Sequence, residues 1–252
     1  MAWMRRWVRI PCAPPNCCCG GPKPLKDRGS GSRNSANQGV DPWISRSICK
    51  QEEQDCWLER KRLRAGRSST VFIDLAESSG FEEVVLPAIE PAEVYEQKAG
   101  PEILNQMYVF PDRKGRSLCL RPEGTATCQL LAQGPWKQQK DVRIWYETRC
   151  WRYERPQAGR YREFTQFGIE VLNPTTDVRV ELIELAKKMV AGVTANFEVS
   201  DKIQRGLAYY IEDGFEISCP DLGAQKQVLG GGRYKEGIGF AAGVDRLMLV
   251  GR

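Results

Sequence analysis

The sequence predicts an α+β fold, an antiparallel β-sheet flanked by helices, and three observations predict it. Two long strand-like segments, Val142–Glu154 and Tyr161–Val171, are joined by a short loop containing Pro156 and Gly159, as in a hairpin. A helix with clear start and stop signals follows them. The strand-like segments beyond that helix do not alternate with helices in the manner of a parallel βαβ sheet.

Taken in chain order, residues 1–66 differ from the rest. Pro11, Pro14, Pro15, Pro22 and Pro24 mix with Gly20, Gly21, Gly29 and Gly31, and Asp27 is the only acid before Asp41. Such a stretch buries too little apolar surface to fold alone, so it is expected to be a low-complexity, disordered extension. Arg5, Arg6 and Arg9 in this acid-poor, Ser-containing segment also suit a transit peptide for a mitochondrion or plastid, and equally a solvated tail or a misplaced start codon. Residues 67–252 are expected to form the globular domain.

Val71–Ser79 reads as the end of a helix stopped by Gly80, and Phe81–Leu86 as a strand ending at Pro87. A helical stretch is expected over Pro91–Met107, interrupted by Gly100 and Pro101. After the paired strands, Pro174-Thr175-Thr176-Asp177 starts a helix whose apolar face is Leu182, Leu185, Ala186 and Met189, and Gly192 stops it. Strand-like segments around Gly206–Ser218 and Gly239–Ala242 precede a last helix.

Composition narrows the chemistry. The chain has 252 residues, a net charge of +5, 41% hydrophobic and 27% charged residues, which suits a soluble globular protein. No stretch approaches the roughly 18 apolar residues of a membrane span. Histidine is absent. Catalysis by Ser-His-Asp or Cys-His systems and metal sites with His ligands are therefore excluded, leaving carboxylates, Arg, Lys, Tyr, Cys and backbone. Six of the ten cysteines lie before residue 57, and Cys17-Cys18-Cys19 in a row is poor geometry for a four-cysteine metal site. No metal site is expected, and the thiols read as reduced and structural in a cytoplasmic protein.

Strand parity sorts the faces of the hairpin. On Tyr161–Val171, Thr165, Phe167, Ile169 and Val171 make a mainly apolar face suited to a core. The opposite face presents Phe164, Gln166 and Glu170, and Arg152 and Glu154 share a face on the preceding strand. A polar face of this kind suits plain solvent or a polar ligand with a flat ring, and the pattern alone does not choose. Arg152, Arg155, Arg160 and Arg162 crowd around the connecting loop. Guanidinium forks suit phosphate, so a nucleotide or nucleic-acid backbone is the natural partner, with a charged hairpin tip as the plainer alternative.

The run from Trp151 to Glu170, WRYERPQAGRYREFTQFGIE, closely resembles motif 2 of histidyl-tRNA synthetases, which are class II aminoacyl-tRNA synthetases. Gly80–Glu90 is similar to their motif 1, whose proline lies at the dimer interface, and Arg121–Ala126 to their amino-acid-binding loop. Arg205–Tyr210 resembles the histidine signature, Gly231–Tyr234 the glycine-rich strand, and Gly239–Leu247 motif 3. The resemblance implies histidine–tRNA ligase activity in a homodimer: histidine attacks the α-phosphate of ATP, and the histidyl group then passes to the 3′ end of the tRNA acceptor stem. Arg152, Arg205 and Arg246 would be catalytic. ATP would meet Arg152, Glu154, Arg160, Phe164 and Arg246, with Mg²⁺ carried mainly by its phosphates. Histidine would meet Glu123, Thr125, Arg152, Gln166, Glu170, Arg205, Tyr209 and Tyr210, and the tRNA acceptor would meet Arg155, Gln157 and Arg160. A non-catalytic paralogue, acting as a regulatory or tRNA/histidine-sensing subunit, is the alternative.

The chain departs from the family pattern in places. Ala208 stands where the signature usually has Asp, and Asp245 where motif 3 usually has Glu. Val171 and Arg205 lie only 34 positions apart, where the family inserts a small helical domain. Lys235–Ile238 is four residues long where the family has a longer helical connection, and no anticodon-binding domain is expected after motif 3. Thr165 occupies a position where the family often has His.

Overall fold

A computed structural model describes residues 69–96, 101–155, 159–203, 209–223 and 226–250. The expected extension over 1–66 lies outside them. The elements are α1 (69–78), β1 (Glu82–Glu83), β2 (Ile89–Pro91), α2 (Glu93–Glu96), α3 (Pro101–Leu104), β3 (Val109–Pro111), β4 (Ser117–Leu120), α4 (Thr125–Gln133), β5 (Val142–Trp151), β6 (Glu163–Leu172), α5 (Arg179–Ala191), β7 (Glu198–Ile203), β8 (Gly214–Ser218), β9 (Gln227–Tyr234), β10 (Gly237–Gly243) and α6 (Val244–Val250).

The β5–β6 hairpin pairs from Val142↔Leu172 to Trp151↔Glu163 and forms the spine of a seven-stranded sheet. The strand order is β1-β5-β6-β10-β9-β8-β7. Every pair is antiparallel except β1 with β5, so the sheet is mixed, within the α+β class. A smaller sheet has the order β2-β4-β3.

Parity puts Phe167, Ile169 and Val171 of β6 on one side, all fully buried. Leu182, Leu185, Ala186 and Met189 of α5 cover that side, together with Phe72 and Ala76 of α1. Phe167 meets the Phe72 ring edge-on at 5.4 Å and stacks on Trp145 at 5.5 Å. Aromatic pairs at such separations add to the area term, which is the main stabilising contribution of this layer. The helix α1 ends where Gly80 takes φ +79°, a value open to glycine at no steric cost.

Two sequence expectations change. Among the described residues of Pro91–Met107, Glu93–Glu96 and Pro101–Leu104 are helical, 97–100 lie outside the described residues, and Pro91 closes β2 opposite Leu118. A proline has no N–H to carry a helix through, and it is tolerated at a strand end. The strand expected at Phe81–Leu86 shrinks to Glu82–Glu83, with one more bond from Val84 N to Trp145 O. In the segment expected at Gly206–Ser218, the strand occupies Gly214–Ser218, Tyr210 makes an isolated bridge to Tyr234, and 204–208 lie outside the described residues.

The connection between Tyr234 and Gly239 is a tight hairpin in which Gly237 pairs with Tyr234. Glu236 anchors this turn: its carbonyl accepts from Asn173 N at 2.7 Å and its carboxylate from Gln133 Nε2 at 2.5 Å.

Candidate active site

The opposite face of the hairpin opens into a cavity of about 360 Å³. Arg152, Glu154, Arg160, Phe164 and Arg246 line it, and so do Glu123, Thr125, Gln166, Tyr209 and Tyr210. Residues spanning more than a hundred positions meet because the first turn of α4, the connection after β5, the strand β6 and the start of α6 all reach this cavity, while the apolar residues of α6 pack with those of α1 and α5.

One group is cationic and aromatic. Arg152 lies 5.3 Å from the centroid of the Phe164 ring and donates from Nε to Pro122 O at 2.9 Å. Arg160 pairs with Glu154 at 2.9 Å. Arg246, in the first turn of α6, donates to Gly159 O and Gln227 O, each at 2.8 Å. Burial lowers the Arg246 pKa, and the like charges of Arg160 and Arg152 lower it further. Three guanidiniums held near one another in a partly dry cleft are mutually repulsive, and an anion with several charges relieves that strain. Asp245 holds α6 against β6 by accepting Thr165 N at 2.6 Å.

The other group is carboxylate and phenol. Glu123 is buried, and its carboxylate accepts the N–H groups of Thr125 and Ala126 at 2.8 Å each. These are open donors of the first turn of α4, which supply partial positive charge to the carboxylate. Burial nevertheless raises the Glu123 pKa, against the lowering effect of those bonds and of Arg152. Tyr209 Oη donates to Glu123 at 3.4 Å, and Gln166 Oε1 accepts Gly124 N at 2.9 Å. Beneath the cavity Glu170 is fully buried, with Thr125 Oγ1 donating at 2.7 Å and Tyr234 Oη at 2.9 Å. Burial pushes its carboxyl up to about 8, against the opposing pull of those two hydroxyls.

A glycine is required above this carboxylate. A Cβ on Gly239 would lie 1.8 Å from Glu170 Oε2 and 2.4 Å from the Ile169 carbonyl.

Of the residues expected from sequence, ten line the cavity and Glu170 lies under it. Arg155 is exposed beside it, while Arg205 and Gln157 lie outside the described residues. Sequence reasoning missed Glu216 and Gln227, which also line the wall, and Tyr234 beneath it. The alternation of buried Phe215 and Ile217 around half-buried Glu216 is the period-two signal that marks Glu216 as facing the other way. Among the described residues no group of three or more Cys, Asp or Glu side chains is placed to hold a metal ion.

Relatives agree with this architecture. The chain is 42% identical over 127 residues to a histidine–tRNA ligase of Archaeoglobus fulgidus, covering 50% of this chain and 31% of the relative. It is 26% identical to one of Natranaerobius thermophilus, covering 68% of this chain and 66% of the relative. The chain therefore spans less than two thirds of either curated relative. Among solved structures, an ATP phosphoribosyltransferase regulatory subunit/histidyl-tRNA synthetase from Bacillus halodurans C matches with a TM-score of 0.64 at 16% identity, covering 77% of this chain and 79% of that one. Apo histidyl-tRNA synthetase of S. aureus matches with a TM-score of 0.58 at 22% identity, covering 75% and 65%. These likenesses establish the class II synthetase fold. The histidyl-tRNA synthetase family model matches residues 57–201, more than half of the sequence, and this chain belongs to that family.

Proposed function

We propose that the chain is a histidine–tRNA ligase core, activating histidine with ATP to histidyl-adenylate and passing the histidyl group to tRNA. The observation that carries the reading is one cavity with an arginine–aromatic group beside a carboxylate–phenol group. Phe164 stacks on adenine, and Glu154 accepts from its amino group. Arg152 and Arg246 neutralise the phosphates, joined by Arg160, and Mg²⁺ enters on those phosphates. Glu123, Thr125 and Gln166 hold the α-ammonium of histidine. Glu170, Tyr209 and Tyr210 read the imidazole, and a carboxyl poised near 8 holds or releases a proton as the ring requires. The reaction is an in-line displacement at the α-phosphorus, where positioning and charge neutralisation are most of catalysis. Arg205 is assigned to the substrate carboxylate and α-phosphate, and Arg155 and Gln157 to the tRNA acceptor, by family pattern. The likeness of motif 1 supports a homodimer.

The test is histidine-dependent exchange of pyrophosphate into ATP. Exchange is expected for the wild-type chain and a loss of about 100-fold or more for Arg246→Ala, in line with removal of a charge-stabilising donor. Wild-type exchange no faster than that of Arg246→Ala rejects the reading. A second reading, a non-catalytic regulatory or histidine-sensing paralogue, is favoured by the fold likeness to the Bacillus halodurans C protein. Histidine binding by calorimetry without exchange would select it.

A further inference from the structure

Glu90, Tyr95 and Thr127 are buried polar residues without a part in the site just described, and none of them lines the cavity. Thr127 Oγ1 donates to both oxygens of the Glu90 carboxylate, at 2.7 and 2.9 Å. Tyr95 Oη lies 3.2 Å from the same Thr127 hydroxyl and donates to the Glu123 carbonyl oxygen at 3.3 Å. The set thus ends on the backbone of a residue that lines the cavity. Glu123 is gripped at both ends: its carboxylate accepts from the N–H groups of Thr125 and Ala126, and its carbonyl accepts from Tyr95. The preceding carbonyl, that of Pro122, is taken by Arg152.

Two residues along an α-helix lie about 200° apart around its axis, so Thr125 and Thr127 leave the start of α4 on nearly opposite sides. Thr125 reaches Glu170 of β6 in the large sheet, and Thr127 reaches Glu90 of β2 in the small one. The helix start is strung between two buried carboxylates. Apolar side chains would fill this junction without the desolvation that a carboxylate, a phenol and a hydroxyl bring. What the polar set adds is a single arrangement, since its groups are satisfied together in one geometry. We infer that Tyr95 and Thr127, backed by Glu90, are positioning residues for the amine of the amino-acid substrate: they fix the Glu123 main chain and thereby the place of its carboxylate. The inference deepens the proposed function and rests on Glu123 holding the α-ammonium. None of the three touches the substrate; each acts through Glu123.

The probes are histidine, histidinol, which keeps the amine and lacks the carboxylate, and imidazole-4-propionate, which lacks the amine. Each is titrated into the full chain by calorimetry, as is ATP. Wild type is expected to bind histidine more tightly than imidazole-4-propionate. Tyr95→Phe keeps the ring and removes the hydroxyl. It should weaken histidine and histidinol by about 5-fold, the scale of one lost hydrogen bond, and leave imidazole-4-propionate and ATP unchanged. Thr127→Val, which severs Glu90 from Tyr95, should show the same split. A merely structural role would weaken all four ligands together or none of them, and either result overturns the inference. A split in Tyr95→Phe without one in Thr127→Val overturns the link to Glu90. Wild type that fails to prefer histidine to imidazole-4-propionate rejects Glu123 as the ammonium holder and the positioning role with it, whereas a preference kept intact in Tyr95→Phe rejects the positioning role alone. Because these titrations need no catalysis, failed pyrophosphate exchange alongside the split rejects the ligase reading and leaves the positioning role standing.

Discussion

The two faces of the β5–β6 hairpin each hold fully buried residues and differ in what surrounds them. Phe167 and Glu170 are both fully buried, three residues apart on one strand. Phe167 is surrounded by apolar side chains from α1, α5 and the sheet. Glu170 is held by two hydroxyls and roofed by a glycine. Dispersion and area stabilise the first face, and groups of similar volume can replace one another there. Each polar atom on the second face needs a named partner, and removing one strands the other. Burial alone therefore does not separate scaffold from site; the need for specific partners does.

The largest expected effect tests the apolar side. Phe167→Ala should cost about 3–5 kcal/mol, since it empties a ring that touches both Phe72 and Trp145. Urea denaturation checks it, and a loss below about 1 kcal/mol would show that this face is not the main support. Glu170→Gln tests the other side through pH. The carboxyl has a pKa near 8 when folded against 4.5 for the ordinary group. Its contribution to stability is then complete below about pH 4.5 and is lost as pH rises through 8, because the unfolded chain holds fewer protons across that window. Glu90 and Glu123 are also raised by burial and act with the same sign. The urea midpoint of wild type should fall from pH 5 to pH 8, and Glu170→Gln should flatten that fall without abolishing it. An unchanged slope would mean that Glu170 is already ionised at neutral pH.

The smallest effect lies away from both faces. Arg233 pairs with Asp177 at 2.7 Å and Glu212 at 3.6 Å, both carboxylates more than half exposed. Arg233→Ala should cost about 1 kcal/mol or less, and less still in high salt. Thermal melts at low and high ionic strength measure it; a large, salt-independent loss would place Arg233 with the buried polar groups.

Much of this contrast was legible in the sequence. Period-two alternation sorted Phe167, Ile169 and Val171 from Gln166 and Glu170, and helical spacing found the buried stripe of α5. Local pattern could not show that Pro91 ends a strand, because the partner, Leu118, is distant in sequence. Nor could it reveal α4, whose Thr125, Thr127 and Gln129 are buried polar residues at positions where an amphipathic helix would carry apolar ones. Their hydrogen bonds, such as Thr127 to Glu90 at 2.7 Å, exist only in the folded chain. Glu216 and Tyr234 escaped for the same reason: their neighbours come from other strands. The glycine-rich strand β9 was expected by family likeness, since glycine carries no pattern of its own.

Tyr146 occupies a slot bounded by two glycines. A Cβ on Gly168 would fall 2.1 Å from its ring, and one on Gly124 would fall 2.5 Å from it. The three positions are therefore not free to vary independently. Neither glycine can acquire a side chain while the ring is in place, whereas a smaller residue at Tyr146 opens room for both. Descent through this trio is ordered, with the tyrosine the first to change, and the same alanine substitution at Gly168 is harmful or tolerable according to what position 146 already carries.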